Sequence, residues 1–223
     1  PPAGRLSHPA GLLERWEREF GRERAHRLCE WNNGRPETCL RMRPGAPPAA
    51  EYVHRLHARG IEATPHPFAP GRFLRIGHGA RIPDLPGFAE GWFYVQDPAT
   101  TVAPDLLEVR PGESVLDACA APGGKTVLLA EAMDGRGRLL ALDPHEDRLA
   151  RLHENLTRLG LPWVRVARAD ATTVDAAALA REDPSVPPSF DAILLDVPCS
   201  NTGVIRRRPD ARWAFSARRL GRL

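Results

Sequence analysis

The chain has 223 residues, of which 42% are hydrophobic and 26% are charged. This composition supports a sizeable core and excludes a disordered chain, and no apolar run is long enough to span a membrane. The formal net charge of +3 hides an asymmetry, because residues 76–205 carry 19 acidic against 11 basic residues whereas both flanking segments are basic.

The cysteines and the first residues bear on location and on metals. Four cysteines in 223 residues do not form a secreted disulfide scaffold, and they are too far apart for a CxxC zinc motif. The first five residues lack an initiator methionine and the apolar region of a signal peptide. We therefore expect a cytoplasmic monomer, cut from a longer chain, that binds neither metal nor membrane.

The first third of the chain predicts a small α+β layer. Apolar residues recur at helical spacing between Leu12 and Phe20, and further segments predict a second helix, a strand, a third helix and two pairing strands, at residues 22–31, 38–43, 49–59, 61–64 and 72–76. Proline and glycine crowd residues 83–91 and predict a crossing loop or linker. The predicted domains are therefore 1–85 and 86–223.

From about residue 92 the pattern changes to alternating strands and helices. Strands are predicted over 114–118, 138–142 and 163–167. The apolar run that leads to Asp196 predicts a fourth strand, which we expect to be fully buried. An acidic residue lies in or after each strand, at intervals of 26, 27 and 26 residues: Asp117, Asp143, Asp170 and Asp196. One interval equals one βα unit, so these acids are predicted to line one edge of a parallel sheet.

The first of these strands is followed by a loop of small residues that leads into a helix. Such a loop lets a ligand approach the backbone and the helix N-terminus. Asp143, at the end of the next strand, is placed to accept hydrogen bonds from ribose hydroxyls, and Asp170 can accept one from an adenine amino group. Together these features predict a site for an adenosine that does not require phosphates.

A nucleotide hydrolase is the main alternative. Gly124-Lys125-Thr126 ends like a Walker A motif, and the strand at Asp196 resembles a Walker B strand. Cys119 stands where that motif needs glycine, and Pro122 removes an N–H from the phosphate cradle, so the pattern disfavours this alternative. A second alternative is an RNA-binding module without catalysis.

Cys199 follows Asp196 closely and has three interpretations. It can be a small buried hydrophobic residue, a nucleophile that attacks C6 of a pyrimidine, or a thiol that assists another step beside a flipped base. Directly after it, Arg206, Arg207 and Arg208 predict contact with a nucleic-acid backbone.

Two motifs are similar to those of the Nop/Sun family of S-adenosylmethionine-dependent RNA cytosine-5 methyltransferases. They are Asp117-Ala118-Cys119-Ala120-Ala121-Pro122-Gly123-Gly124-Lys125-Thr126 and Asp196-Val197-Pro198-Cys199-Ser200-Asn201-Thr202-Gly203. The resemblance covers nearly the whole chain and extends to a bacterial branch that acts on small-subunit ribosomal RNA. It implies a Rossmann-like methyltransferase sheet with its first four parallel strands, preceded by a small α+β RNA-binding subdomain over residues 1–85.

The resemblance also implies roles for single residues. S-adenosylmethionine would contact Cys119, Ala120, Ala121, Pro122, Gly123, Gly124 and Lys125, with Asp143 at the ribose and Asp170 on the adenine side. Asp196 would face the methyl donor and the target cytosine. The attacking cysteine would belong to a later Thr-Cys-Ser motif beyond Leu223, and Cys199 would help to release the 5-methylcytidine product, so the chain by itself would lack the nucleophile.

Overall fold

The computed structural model describes residues 6–215, and the chain divides into two compact units. The first unit joins Pro1–Pro36 with Val197–Leu223, and the second is Glu37–Asp196. The predicted boundary near residue 85 falls inside the second unit and stays a prediction. Within the described part of the chain, no helix combines the length and apolarity needed to cross a bilayer.

The first unit is built on two helices, α1 (Ala10–Phe20) and α2 (Arg22–Asn33). Gly21 separates them with a φ of 79°, a left-handed value that favours glycine. Two 3₁₀ turns follow in the C-terminal segment, Thr202–Val204 and Pro209–Arg212. The buried residues of this unit come from both segments: Leu12, Leu13, Trp16, Ala25, Cys29, Ile205 and Ala211.

The second unit begins with an antiparallel sheet of four strands, β1 (Thr38–Met42), β2 (Ala63–Pro65), β3 (Phe73–Ile76) and β4 (Phe93–Val95). The order of the strands in the sheet is β2-β3-β1-β4. Helix α3 (Ala49–His57) contributes Tyr52 and Leu56 to the core of this layer. The predicted pairing of the two strands near 61–64 and 72–76 is confirmed, because Ala63 is opposite Ile76.

A parallel sheet follows in the same unit, with strands β5 (Ser114–Asp117), β6 (Arg138–Asp143), β7 (Arg165–Arg168) and β8 (Ala192–Leu194). The order of the strands in this sheet is β7-β6-β5-β8. The accompanying helices are α4 (Val102–Leu106), α5 (Gly124–Ala132), α6 (Glu146–Arg158) and α7 (Ala176–Glu182). The predicted α/β class with four parallel strands is confirmed.

The expectation that β8 is fully buried is wrong. Ile193 is 49% exposed and the following Leu195 is 62% exposed. The reason is position, since β8 pairs only with β5 among the described strands and therefore forms an edge of the sheet. An apolar run identifies a strand but does not distinguish a central strand from an edge strand.

A buried ion cluster joins β1 to the C-terminal end of α5. The Glu131 carboxylate pairs with Arg41, and its Oε1 accepts a hydrogen bond of 2.6 Å from Nε of Arg43. Arg41 is buried, and its Nε donates to Oε1 of Gln96 at 2.7 Å. A carboxylate at a helix C-terminus is unfavourable for the helix dipole, so the two arginines offset that cost.

We expect Glu131→Ala to lower the free energy of unfolding by about 3–5 kcal/mol, because the substitution leaves two guanidinium groups without their shared carboxylate. Urea unfolding followed by circular dichroism measures the change. Glu51→Ala is the matched control, since Glu51 pairs with Arg55 on the exposed surface of α3 and its loss should cost about 1 kcal/mol or less. Equal costs for the two variants would contradict the assignment.

Candidate functional site

Two of the four predicted acids end neighbouring strands of the parallel sheet, and the other two each come two residues after a strand. Asp117 ends β5, Asp143 ends β6, and Asp196 comes two residues after β8. Asp170 comes two residues after β7, the neighbour of β6. The strand order therefore places the acids along this edge in the sequence Asp170, Asp143, Asp117, Asp196, as the regular spacing predicted.

Asp117 is fully buried at this edge. Its Oδ2 accepts a hydrogen bond of 2.7 Å from the Thr126 hydroxyl, whereas its Oδ1 has no hydrogen-bond partner. Burial raises the pKa of Asp117 to about 6, although hydrogen bonds from Thr126 and from the backbone of Cys119 act in the opposite direction. Asp117 is therefore a carboxyl group that can carry a proton at mildly acidic pH.

The loop between β5 and α5 is fixed to the neighbouring strands. The Ala118 N–H donates to the carbonyl of Leu194 at 3.0 Å, and the Ala120 N–H donates to the carbonyl of Leu142 at 2.8 Å. Gly123 closes the loop with a φ of 109°, and a Cβ there would lie 2.7 Å from Cδ1 of Leu152. This close approach and the left-handed backbone both require glycine.

Three side chains that the sequence did not single out hold the same loop. The Tyr94 hydroxyl and Nδ2 of Asn155 both donate to the carbonyl of Pro122, at 3.3 and 3.0 Å. Nε2 of Gln96 donates to the carbonyl of Gly124 at 3.2 Å. No local pattern marks these residues, because each lies 28 or more positions from its partner.

Asp143 is 1% exposed, and one of its oxygens is held by the backbone. Its Oδ1 accepts a hydrogen bond of 3.1 Å from the His145 N–H. Its Oδ2 lies 3.1 Å from Nη1 of Arg148, an ion pair without hydrogen-bond geometry. Arg148 also donates to the carbonyl of Ala121 at 2.6 Å, so its guanidinium lies between the carboxylate and the loop. The guanidinium therefore occupies a position next to Oδ2 from which a ligand could donate to Asp143.

Asp170 differs from Asp117 and Asp143 because its side chain is exposed. Its Oδ1 accepts hydrogen bonds from the backbone N–H and the hydroxyl of Thr172, at 2.9 and 2.7 Å. These hydrogen bonds lower the pKa of Asp170. The carboxylate therefore stabilises its own turn and still presents its second oxygen to an incoming donor.

Asp196 forms an ion pair with Lys125, the single lysine of the chain. The lysine ammonium stands on the first turn of α5 and the carboxylate follows β8. The pair connects the two sequence motifs, which contain Lys125 and Asp196, across the sheet edge.

The two cysteines of the motifs lie in different units. Cys119 lies in the loop after β5, and burial raises the pKa of its thiol, with Asp117, Asp143 and Asp196 acting in the same direction. Cys199 belongs to the first unit and is exposed, and its Sγ accepts a hydrogen bond of 3.4 Å from the Asn201 N–H. Cys199 is therefore not the buried hydrophobic residue that one interpretation allowed.

The predicted arginine run also lies in the first unit. Arg207 and Arg208 are exposed, and Arg206 is partly buried. Their role in RNA binding stays a prediction.

Metal-ligand side chains meet away from the sheet edge, at Glu37, Cys39 and His66. Their ligand atoms lie within 4.8 Å of one another. The guanidinium of Arg75 lies 3.4 Å from the Glu37 carboxylate, and Nδ1 of His66 accepts a hydrogen bond from the Phe68 N–H. A neighbouring positive charge disfavours a cation there. That no metal binds stays a prediction.

Comparison with known proteins identifies a family. The family model of the 16S rRNA methyltransferases RsmB/F matches residues 104–222, and the model of a ferredoxin-like domain of RsmF/B-like methyltransferases matches residues 8–74. A ribosomal RNA small subunit methyltransferase B from Pseudomonas syringae pv. tomato is 39% identical over 211 residues, which are 95% of this chain and 45% of that protein. The chain spans about half the length of the curated relatives it matches.

Two solved structures share the fold over most of the chain. The crystal structure of PH0851 is 28% identical with a TM-score of 0.88 and covers 99% of this chain and 48% of its own. A methyltransferase homolog protein from Pyrococcus horikoshii is 31% identical with a TM-score of 0.71 and covers 92% of this chain and 64% of its own.

The raised pKa of Asp117 predicts a pH-dependent stability. The folded protein holds this proton more tightly than the unfolded chain, so the stabilisation is present below about pH 4 and is lost as the pH rises through about 6. Asp117 should therefore lower the free energy of unfolding by about 3 kcal/mol between pH 4 and 7. Urea unfolding of the wild type and of Asp117→Asn across this range measures the difference.

A second variant tests the same assignment in the folded protein. The Thr126 hydroxyl stabilises ionised Asp117, so Thr126→Val should raise the pKa of Asp117 further, as read from its carboxyl ¹³C shift. A titration midpoint near 4 in the wild type would contradict the burial argument.

Proposed function

The chain belongs to the RsmB/F family of 16S rRNA methyltransferases, and on this basis we propose that it binds S-adenosylmethionine and serves the formation of 5-methylcytidine in small-subunit ribosomal RNA. The observation that carries the proposal is the sheet edge at which Asp143 and Asp117 flank the loop of small residues. A nucleotide hydrolase is not favoured, because the family matches are to methyltransferases and Cys119 replaces the glycine that a Walker A motif needs.

The residues at the sheet edge fit an adenosine-bearing cofactor. Asp143 is buried and its Oδ2 has no hydrogen-bond donor, so ribose hydroxyls can supply the missing bonds after Arg148 is displaced. The Oδ1 of Asp117 is likewise without a donor and suits the amino group of the methionine part. The backbone of the loop from Cys119 to Lys125 would then lie along the methionine and adenosine parts of the cofactor.

The adenine side falls to Asp170. Its free carboxylate oxygen can accept a hydrogen bond from the exocyclic amino group, and the turn that it stabilises with Thr172 keeps it in place. S-adenosylmethionine supplies an electrophilic methyl group on a sulfonium when it is bound. The residues of this chain orient that group and exclude water from it.

Asp196 and Cys199 act on the cytosine in this proposal. The Asp196 carboxylate, which pairs with Lys125, can accept a hydrogen bond from a protonated ring nitrogen of the cytosine, and that protonation would make C6 more electrophilic towards a thiolate. Once C5 carried the methyl group, a base would take the C5 proton, and the electron pair of the C5–H bond would form the C5–C6 double bond as the C6–S bond breaks. Cys199 serves this last phase, and the attacking thiolate comes from the later Thr-Cys-Ser motif that the family resemblance implies.

The charge of the first unit supports an RNA substrate. Its two segments carry 14 arginines against 6 acidic residues, whereas the rest of the chain is net acidic. Arg206, Arg207 and Arg208 would pair with phosphates and give binding that weakens as salt increases. A cytoplasmic location and a monomeric state complete the proposal.

We expect Asp143→Ala to weaken S-adenosylmethionine binding by about 1.5–3 kcal/mol, or about 10- to 150-fold, because hydrogen bonds to a charged carboxylate are lost. Isothermal titration calorimetry on the 223-residue chain measures the affinity. Asp147→Ala is the matched control, since Asp147 is an exposed acid on the first turn of α6. Unchanged affinity in Asp143→Ala would sink the cofactor assignment.

The role of Cys199 can be read from a covalent intermediate. In a longer protein that includes the Thr-Cys-Ser motif, Cys199→Ala should accumulate a covalent adduct with unmodified RNA, because attack proceeds and release fails. Denaturing gel electrophoresis detects the adduct. The wild type should turn over without accumulating it, and the absence of both adduct and product in the variant would make Cys199 the attacking thiol instead.

A further inference from the structure

An arginine and a tryptophan are stacked on the surface of the first unit. Trp31 stands near the end of α2 and is 60% exposed, which is unusual for the largest apolar side chain. The guanidinium carbon of Arg206 lies 3.9 Å from the centroid of its ring. One face of the indole is therefore covered by a cation, and most of the remaining ring surface is open to solvent.

The arginine of this stack is held from several sides. Nη2 of Arg206 donates a hydrogen bond of 2.7 Å to the carbonyl of Arg35, and the preceding Ile205 is fully buried in the core of the unit. Gly34 lies against the pair, because a Cβ there would stand 3.2 Å from the carbonyl of Trp31 and 3.7 Å from Nε of Arg206. Contacts within the protein thus fix the guanidinium on the ring.

A second arginine fixes the segment that carries the stack. Arg212 is buried, and its Nη1 donates to the carbonyl of Ser7 at 2.8 Å and to Oδ1 of Asn33 at 2.6 Å. Asn33 ends α2, two residues after Trp31. These bonds tie the C-terminal segment to the end of the helix, so the entropy of ordering both partners of the stack is lost during folding and not during binding.

We propose that Trp31 and Arg206 form a stacking platform for one unpaired base of an RNA strand. An aromatic ring with a free face is the feature on which single-stranded nucleic acids stack, and the stacking tolerates any base. The cation on the other face adds to the attraction for the polyanion. Arg207 and Arg208 come directly after Arg206 in the chain and can pair with the adjacent phosphates.

The charge of the unit favours RNA over a protein partner. The platform belongs to a unit with 14 arginines and 6 acidic residues, which suits a phosphate backbone. The inference rests on the proposed function, because it specifies how the RNA substrate is held: one unpaired base of that RNA would occupy the ring. Trp31 acts as a positioning residue and takes no part in the methyl transfer.

The test compares two RNA probes of equal charge. A fluorescently labelled single strand of about ten nucleotides and an abasic strand of the same length are titrated with the 223-residue chain, and fluorescence anisotropy gives Kd. Trp31→Ala should weaken binding of the base-containing strand by about 5- to 100-fold and leave binding of the abasic strand unchanged. Trp31→Tyr should recover most of the loss.

Trp213→Ala is the matched control, because Trp213 is 64% exposed in the same unit. It should bind both strands like the wild type. If Trp31→Ala binds the base-containing strand as tightly as the wild type, or weakens both strands equally, the platform is overturned. An equal loss in Trp213→Ala would also overturn it, since the effect would then not be specific to the Arg206 stack.

The same proteins are titrated with S-adenosylmethionine, which separates failure of the platform from failure of the proposed function. Trp31→Ala should bind S-adenosylmethionine like the wild type. Wild-type binding of cofactor and RNA with no effect of Trp31→Ala rejects the platform alone. Binding of RNA with the Trp31 effect but without cofactor binding keeps the platform and rejects the methyltransferase proposal, and a wild type that binds no RNA rejects the platform together with the RNA substrate.

Discussion

The ion cluster around the Glu131 carboxylate is the interaction on which the rest of the second unit depends. The carboxylate stands at the C-terminal end of α5 and satisfies Arg41 and Arg43, two guanidinium groups carried by or adjoining β1. Gln96 links Arg41 to the first residue of the same helix through the carbonyl of Gly124. The antiparallel sheet therefore holds α5 at both ends, and the position of α5 determines where the small-residue loop lies.

The acids at the sheet edge have different surroundings. Asp117 is surrounded by protein, and this burial raises its pKa to about 6 even though its hydrogen bonds act in the opposite direction. Asp143 and Asp196 instead lie in ion pairs with Arg148 and Lys125. The edge thus combines one buried carboxyl group of raised pKa with two carboxylates that lie in ion pairs.

The sequence predicted elements with strong periodicity and failed where the signal was short or distant. Apolar residues at helical spacing identified α1, and the interval between acids identified the parallel strands. The three-residue β4 was missed because so short a strand shows no alternation, and its pairing of Leu40 with Val95 joins residues far apart in the chain. Arg148 escaped notice for a related reason: an arginine on an exposed helix turn gains meaning only from the carboxylate beside it.

Lys125 gives the molecule an unusual chemical property. Apart from the chain terminus, it is the only amine among 223 residues in which arginine supplies every other permanent cation. Amine-directed acylation therefore modifies one side chain, and that side chain lies at the sheet edge in an ion pair with Asp196. A single reagent can thus place a probe, a spin label or a crosslinker at the candidate site without any engineered cysteine, and the reactivity of that amine reports whether its carboxylate partner is engaged.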